Sequence, residues 1–322
     1  MKMYLIRGQH NLQLFKSRYP NIKLCGTIGN FDGLHIGHQA ILKKIKKNSE
    51  KFNAKTIVFF TEPHAAEYFA KIRDINADTP PRISPWREKV KLLEKNEIDF
   101  AFFLKFNDSL RTMSPENFIS EILESINLVS FTVGDDFRFG QGRKGDIELL
   151  RNWGKEKNIL IENTETILFD SQRISSSRIR KAITENNFDL AEDLLGRPYT
   201  FSGKVVHGQH LGRTINIPTA NIWLPKQKLP IKGVYAVECY LNDQIIQGIA
   251  NMGVRPTIGG TSPVLEIHLF EFNKDIYSER LIVKFIKKIR DEKKFDNLDM
   301  LKLQIQEDIL IAKNILNHSY DT

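Results

Sequence analysis

The chain has 322 residues, 41% of them hydrophobic and 27% charged, an ordinary balance for a soluble protein and long enough for two cores of about 100 to 200 residues each. No apolar run approaches membrane-spanning length, and the opening "MKMYLIRGQHNLQLF", broken by Arg7, Gln9 and His10, is not expected to act as a signal peptide. Cys25 and Cys239 are the only cysteines; they exclude a disulfide framework and a CxxC metal site and suit a reducing cytoplasm.

The net charge of +8 is unevenly placed: residues 1–183 hold 30 Lys and Arg against 22 Asp and Glu, whereas 184–322 hold 17 of each. An excess of cations confined to the first part suits an anionic ligand or nucleic acid. The densest run, "KKIKK" at 43–47, encloses Ile45 and reads as the solvated face of a helix.

Along the chain, strand-like runs come first as "IKLCGTIG", "KTIVFFT", "IDFAFFLKF", "LVSFTVG" and "ILIENTETILF". Between them lie the helical patterns "HQAILKKIKKNSEKF", "SPWREKVKLLEKN" and "SPENFISEILESIN". Ser84 with Pro85, and Ser114 with Pro115, have the form of a helix cap followed by proline in the first turn. This alternation predicts an α/β Rossmann-like domain, a parallel sheet with helices on both faces, over residues 1–183. A helical join, "SSSRIRKAITENNFDLAEDLLGRPY", leads into short strands at close spacing: "FSGKVVHG", "TANIWLP", "GVYAVECYLNDQIIQGIANMG", "VLEIHLFEF" and "ERLIVKFIKKI". Residues 184–322 are therefore expected to form a small antiparallel β-barrel closed by a C-terminal helix, "LDMLKLQIQEDILIAKNIL".

"GNFDGLHIGH", residues 29–38, follows the first of those strands and opens a helix. In an open α/β sheet that is where ligands bind, beside exposed backbone N–H groups. Gly37 allows a tight turn, so His35 and His38 can face one ligand. A metal would need further ligands, and Asp32 alone does not complete a set. A second stretch, "SSSRIR" at 175–180, places hydroxyls and two arginines at a helix start, which suits phosphate. Together the two resemble the signature of the nucleotidylyltransferase superfamily. There an anionic oxygen attacks the α-phosphate of ATP and expels pyrophosphate, so the protein supplies position and charge stabilisation. On that resemblance His35 and His38 are phosphate ligands.

"GQGRKG" at 140–145 matches GxGxxG in form but follows the fourth strand rather than the first, and "GQHLGRT" at 208–214 has its glycines too close for a P-loop and Arg213 where lysine belongs. Thr219 and Asn221 alternate along a strand and offer oxygens to Mg²⁺ or to a nucleotide phosphate. Glu266, alternating with His268 in an apolar strand, is an ion-pair partner or a base.

Nine fragments in order, "GNFDGLHIGH", "FTEPH", "VGDDFRFG", "SSSRIR", "LLGRPY", "GRTINIPTANI", "GVYA", "NMGVRPT" and "LEIHLFEF", closely resemble the prokaryotic bifunctional riboflavin kinase/FAD synthetase family over nearly the whole chain. The resemblance implies an amino-terminal FMN adenylyltransferase over 1–183 and a riboflavin kinase over 184–322, the latter a six-stranded barrel. It implies that His35 and His38 hold ATP phosphates, with Gly29, Asn30 and Asp32 in the turn and Ser177 and Arg180 completing the nucleotide site. In the kinase it implies Thr219 and Asn221 for Mg-ATP, Gly208 and Arg213 beside the phosphates, and Glu266 as the base that assists the ribityl alcohol of riboflavin. Flavins and ATP are then substrates or products, and Mg²⁺ arrives with ATP. The chain departs from the family pattern at Asn216, Ala65 and Ser278. At Asn216 and Ser278 a glycine is usual, which bears on loop geometry because glycine alone takes positive φ freely.

Two other readings stand beside it. One keeps adenylyl transfer with another acceptor and a degenerate barrel. The other is a basic nucleic-acid binder with an OB-like barrel, disfavoured because the barrel is the neutral half. No nucleic-acid or membrane partner is expected, and a homo-oligomer stays open.

Overall fold

The computed structural model describes residues 3–73, 79–208, 217–224, 228–257 and 260–318. The chain separates into two compact units, Met1–Pro80 with Lys89–Ser175, and Pro81–Glu88 with Ser176–Thr322. The division falls between Ser175 and Ser176, ahead of the 183/184 boundary suggested by charge, so the helix carrying Ser177 and Arg180 belongs to the second unit.

The first unit is built on strands β1 (Tyr4–Arg7), β2 (Leu24–Ile28), β3 (Lys55–Glu62), β4 (Phe100–Lys105), β5 (Leu128–Gly134) and β6 (Leu160–Thr164). They form one sheet, in the order β1-β4-β3-β2-β5-β6, parallel throughout. Helices α1 (Asn11–Arg18), α2 (Ile36–Phe52), α3 (Ala65–Arg73), α4 (Trp86–Lys95), α5 (Asp108–Thr112), α6 (Pro115–Phe118) and α7 (Ile147–Lys157) occupy the connections, α4 straddling the division between the units. A central strand covered on both faces needs apolar residues at every position. Accordingly Ile57 and Phe59 of β3 join one core while Val58 and Phe60 join the other.

Helix α2 buries Ile41, Leu42 and Ile45 and leaves Lys43 and Lys47 exposed, so the lysine run is a solvated face. Burying each of those aliphatic side chains contributes about 1.5 to 3 kcal/mol. The helix ends at Asn53, which takes the left-handed conformation at φ 48°.

Two features differ from expectation. Strand β1 was not foreseen, because four residues at a sheet edge carry no readable alternation; its place comes from pairing with β4. "ILIENTETILF" is not one strand. It splits into β6 and β7 (Leu168–Phe169), and β7 pairs with β8 (Gln172–Arg173) across Asp170 and Ser171, whose φ values of 49° and 59° suit a tight hairpin turn.

The second unit holds α8 (Ser176–Thr184), α9 (Phe188–Leu195), strands β9 (Thr200–Val206), β10 (Ala220–Ile222), β11 (Gly233–Leu241), β12 (Gln244–Thr257), β13 (Gly260–Leu269) and β14 (Arg280–Arg290), and α10 (Leu298–His318). The six strands close an antiparallel barrel, β10-β13-β12-β11-β14-β9. Helix α10 seats Ala312 and Leu316 on Val234, Ala236, Ile249 and Phe270. It is fastened by Asp308, whose carboxylate accepts from Arg290 Nε and Nη2 at 2.9 and 2.6 Å.

Candidate active sites

In the first unit the strand order reverses between β2 and β5, since β3 and β4 extend to one side of β2 and β6 to the other side of β5. A crevice at the carboxyl ends of such a pair is the usual ligand position of an open parallel sheet. Residues 29–35 fill the exit of β2 there. Phe31, Gly33 and Leu34 have φ values of 47°, 80° and 42°, a conformation that costs a non-glycine residue about 1 to 3 kcal/mol. The turn is held in it by burial, because the side chains of Phe31 and Leu34 are 0% and 1% exposed and join the core of Leu42, Ile45, Phe60 and Leu93.

His35 is the N-cap of α2, and its Nδ1 accepts from the backbone N–H of His38 at 3.3 Å. The two imidazoles are stacked, with centroids 3.6 Å apart and planes 17° from parallel. A methyl group at Gly37 would press on the His35 ring at 3.2 Å, which explains the glycine between them. Burial, and then the fields of His35 and Lys89, hold the pKa of His38 well below the ordinary imidazole value. His38 is thus held neutral at a helix start, beside the stacked ring of His35.

His38 Nδ1 is buried without a hydrogen-bond partner among the described residues, as are the hydroxyls of Thr27 and Thr132, which face each other across β2 and β5. Three orphaned polar atoms at one switch point mark a place built for a ligand or ordered water. Asp32 is buried, while Asn30 is exposed and its side chain accepts from Thr61 Oγ1 at 3.3 Å. Gly29 donates its N–H to the Phe59 carbonyl at 3.1 Å. At the end of β5, Arg173 pairs with Asp135 and Asp136 at 3.3 and 2.9 Å, tying the β7–β8 hairpin to that strand.

In the second unit Ser177 and Arg180 lie on α8, and Arg180 Nε donates to the Pro81 carbonyl at 2.8 Å. In the barrel, Asn221 on β10, Glu266 on β13 and Asn251 on β12 are successive cross-strand partners. Their neighbours Ile222, Leu265, Ile267, Ala250 and Met252 are buried, so the polar row shares the face opposite to the barrel core. Asn251 Oδ1 is buried and has no partner among the described residues.

Gly208 fits against this row: a Cβ there would lie 2.2 Å from Asn221 Nδ2. Thr219 instead lines a cavity of about 480 Å³ with Pro218, Phe272, Ile276 and Tyr277. Arg213 and Asn216 lie outside the described residues.

Sequence reasoning assigned no role to Asn251, His64 or Lys89. Asn251 could have been found in "NMGVRPT" only by knowing the barrel register. Lys89, buried with Leu93 on α4, carries no such local signal, because a lysine among helical charges reads as solvated.

A parallel sheet with a histidine-bearing turn at its switch point, followed by a six-stranded barrel with a carboxylate between two amides, defines a two-domain nucleotide-dependent transferase. Family models match in the same order, FAD synthetase over residues 20–178 and riboflavin kinase over 195–316. A protein of Haemophilus influenzae named bifunctional riboflavin kinase/FMN adenylyltransferase is 41% identical over 98% of this chain and 100% of its own. The Escherichia coli protein of the same name is 43% identical over 97% of each. The chain belongs to the bifunctional riboflavin kinase/FMN adenylyltransferase family.

A crystal structure from Streptococcus pneumoniae, titled a macrolide-efflux protein, is similar with a TM-score of 0.75 at 28% identity, covering 98% of this chain and 99% of that one. Its fold is shared; among the described residues no helix is long and apolar enough to cross a membrane.

Proposed function

We propose that the barrel phosphorylates riboflavin to FMN with ATP through Glu266, and that the His35–His38 turn transfers the adenylyl group of ATP to FMN, giving FAD and pyrophosphate. The observation that carries this reading is the position of the HxGH turn, at the switch point of a parallel sheet in a chain that matches the FAD synthetase model over the same region.

For adenylyl transfer the nucleophile is an FMN phosphate oxygen, already anionic, so no base is needed. The two imidazoles and the first-turn amides of α2 stabilise the charge that gathers on the α-phosphate as pyrophosphate leaves. A His38 held neutral by burial can donate a hydrogen bond at this crowded turn.

For phosphorylation the nucleophile is a primary alcohol. Glu266 accepts its proton as the oxygen bonds to the γ-phosphorus and the bond to ADP breaks. Asn221 and Asn251 flank the carboxylate and orient what enters beside it. The oxygen donors of this region, including the orphaned Asn251 Oδ1, suit a hard cation. Thr219 and Asn221 would hold Mg²⁺ together with ATP, the described residues containing no cluster of three or more His, Cys, Asp or Glu. Bound Mg²⁺ offsets phosphate charge.

The test offers each folded variant riboflavin or FMN separately with Mg-ATP and resolves the flavins by chromatography. Glu266→Gln is expected to slow FMN formation by on the order of a hundredfold and to leave FAD formation from FMN intact. His38→Ala is expected to do the reverse, with a loss on the order of a hundredfold. Loss of both activities in either folded variant would sink the assignment of one chemistry to each unit.

A further inference from the structure

Lys89 is fully buried, with 0% of its surface exposed. Bringing an ammonium out of water costs several kcal/mol unless its surroundings compensate, so a lysine in a core calls for a reason. Its surroundings are specific. Nζ donates to the Asn30 carbonyl at 2.6 Å, lies 3.3 Å from His64 Nε2, and sits 4.8 Å from the centre of the Phe60 ring.

Those contacts join three segments at the carboxyl end of the sheet. Asn30 belongs to the turn after β2, and His64 to the turn after β3, where its backbone N–H donates to Glu67 Oε2 at 3.2 Å on the first turn of α3. Lys89 reaches both from α4. The turn that it touches contains the left-handed Phe31 and Leu34. A strained turn persists only where its environment over-determines it. Phe31 and Leu34 are anchored by apolar burial and the Asn30 side chain by Thr61, and the Asn30 carbonyl is anchored by the buried charge.

We propose that Lys89 is a positioning residue for adenylyl transfer: its ammonium clamps the Asn30 carbonyl to His64 and holds the phosphate-binding turn in the shape that aims His35 and His38. The proposal rests on the reading of that turn as the adenylyl-transfer site. Lys89 touches the turn's backbone rather than the reacting phosphates, so its effect belongs to the geometry of the transition state. Loss of the clamp then lowers kcat for FAD formation more than it raises KM for ATP.

A lysine that serves only to fill space is replaceable by methionine, which has similar volume and no charge. Lys89→Met in the full-length protein therefore separates the two roles, with phosphorylation of riboflavin in the same preparation as the control. FAD formation from FMN is expected to fall roughly tenfold to a hundredfold, the scale of a misplaced catalytic contact, with FMN formation unchanged. In Lys89→Ala, which leaves room at the clamp, ethylammonium is expected to restore part of the lost rate. Tetramethylammonium, which has the charge but no N–H, is not.

Lys89→Met with wild-type FAD formation would overturn the clamp. So would parallel loss of both activities with loss of helical signal, which would make Lys89 a residue of general stability. Failure of ethylammonium to restore any rate would also count against it. His38→Ala, run alongside, keeps the underlying reading separate: if it leaves FAD formation intact, the site itself is misplaced, whereas loss there with a fully active Lys89→Met removes the clamp alone.

Discussion

The two units build their candidate sites in opposite ways. In the first, the candidate site is a continuous stretch of backbone, residues 29–38, leaving one strand of a parallel sheet and entering one helix. In the second it is a row of side chains, Asn221, Glu266 and Asn251, drawn from three strands by antiparallel register. A turn at the end of a parallel strand can be bent into strained shapes and fixed from below, as Phe31 and Leu34 are. A barrel wall cannot bend so freely, but it sets side chains opposite one another across neighbouring strands. The first unit thus depends on what anchors a loop, and the second on what preserves the closure of a barrel.

The largest effect that would test this contrast is on closure. Asp308 is 1% exposed and grips Arg290, at the end of β14, with bonds of 2.6 to 2.9 Å. Removing one partner of a buried ion pair leaves an uncompensated charge and costs about 3 to 5 kcal/mol. Asp308→Asn, which keeps the shape, is expected to destabilise the second unit by about 3 kcal/mol and to abolish FMN formation first on warming. The measurement is thermal inactivation of the two activities side by side. If both fail at one temperature, or neither shifts, the units do not rest on separate supports.

The same contrast explains what could be read from the sequence. His35, Gly37 and His38 stand out because their motif is local, and "LVSFTVG" reads as β5 over its full length because the run is mostly apolar, Ser130 and Thr132 apart. Glu266 could be placed on a strand but not beside Asn221 and Asn251, since register is a long-range property that no short stretch carries. Lys89 was hidden for a related reason. A lysine among helical charges reads as solvated, and only its neighbours in space, Asn30 and His64, show otherwise.

A smaller effect concerns acid, and it should fall on the first unit alone. The folded state disfavours protonation of His38 through burial, then through His35 and Lys89, whereas an unfolded histidine titrates near about 6.5. Above that pH both states are neutral and the group contributes nothing. Below it the unfolded chain takes up a proton that the folded one refuses, so stability falls as pH falls, by up to about 1.4 kcal/mol per unit. Urea unfolding at pH 7.5 and 6.0, comparing wild type with His38→Asn, should show a steeper loss in the wild type. Parallel losses would remove His38 as the cause.

The smallest effect tests whether the barrel unit, too, carries strain in a turn. Ser278 has φ 71°, the left-handed conformation in which the family pattern usually has glycine. Its backbone is fixed on one side, because its N–H donates to the Val205 carbonyl at 3.0 Å. The preceding residue is fixed as well, since Tyr277 stacks on His207 with centroids 3.8 Å apart and lines the cavity shared with Thr219. The serine therefore adopts the shape that glycine would take freely and carries the steric cost of its Cβ, about 1 to 2 kcal/mol. Glycine would relieve that cost but add freedom to the unfolded chain, which offsets about 0.4 to 1 kcal/mol. The net expectation for Ser278→Gly is stabilisation by roughly 0.5 to 1 kcal/mol, with FMN formation unchanged because the turn keeps its path. Chemical unfolding followed by a kinase assay measures both. Destabilisation would mean that the serine hydroxyl holds something worth more than the strain, and a changed KM for riboflavin or ATP would mean that the turn's shape depends on the side chain rather than on Val205 and His207.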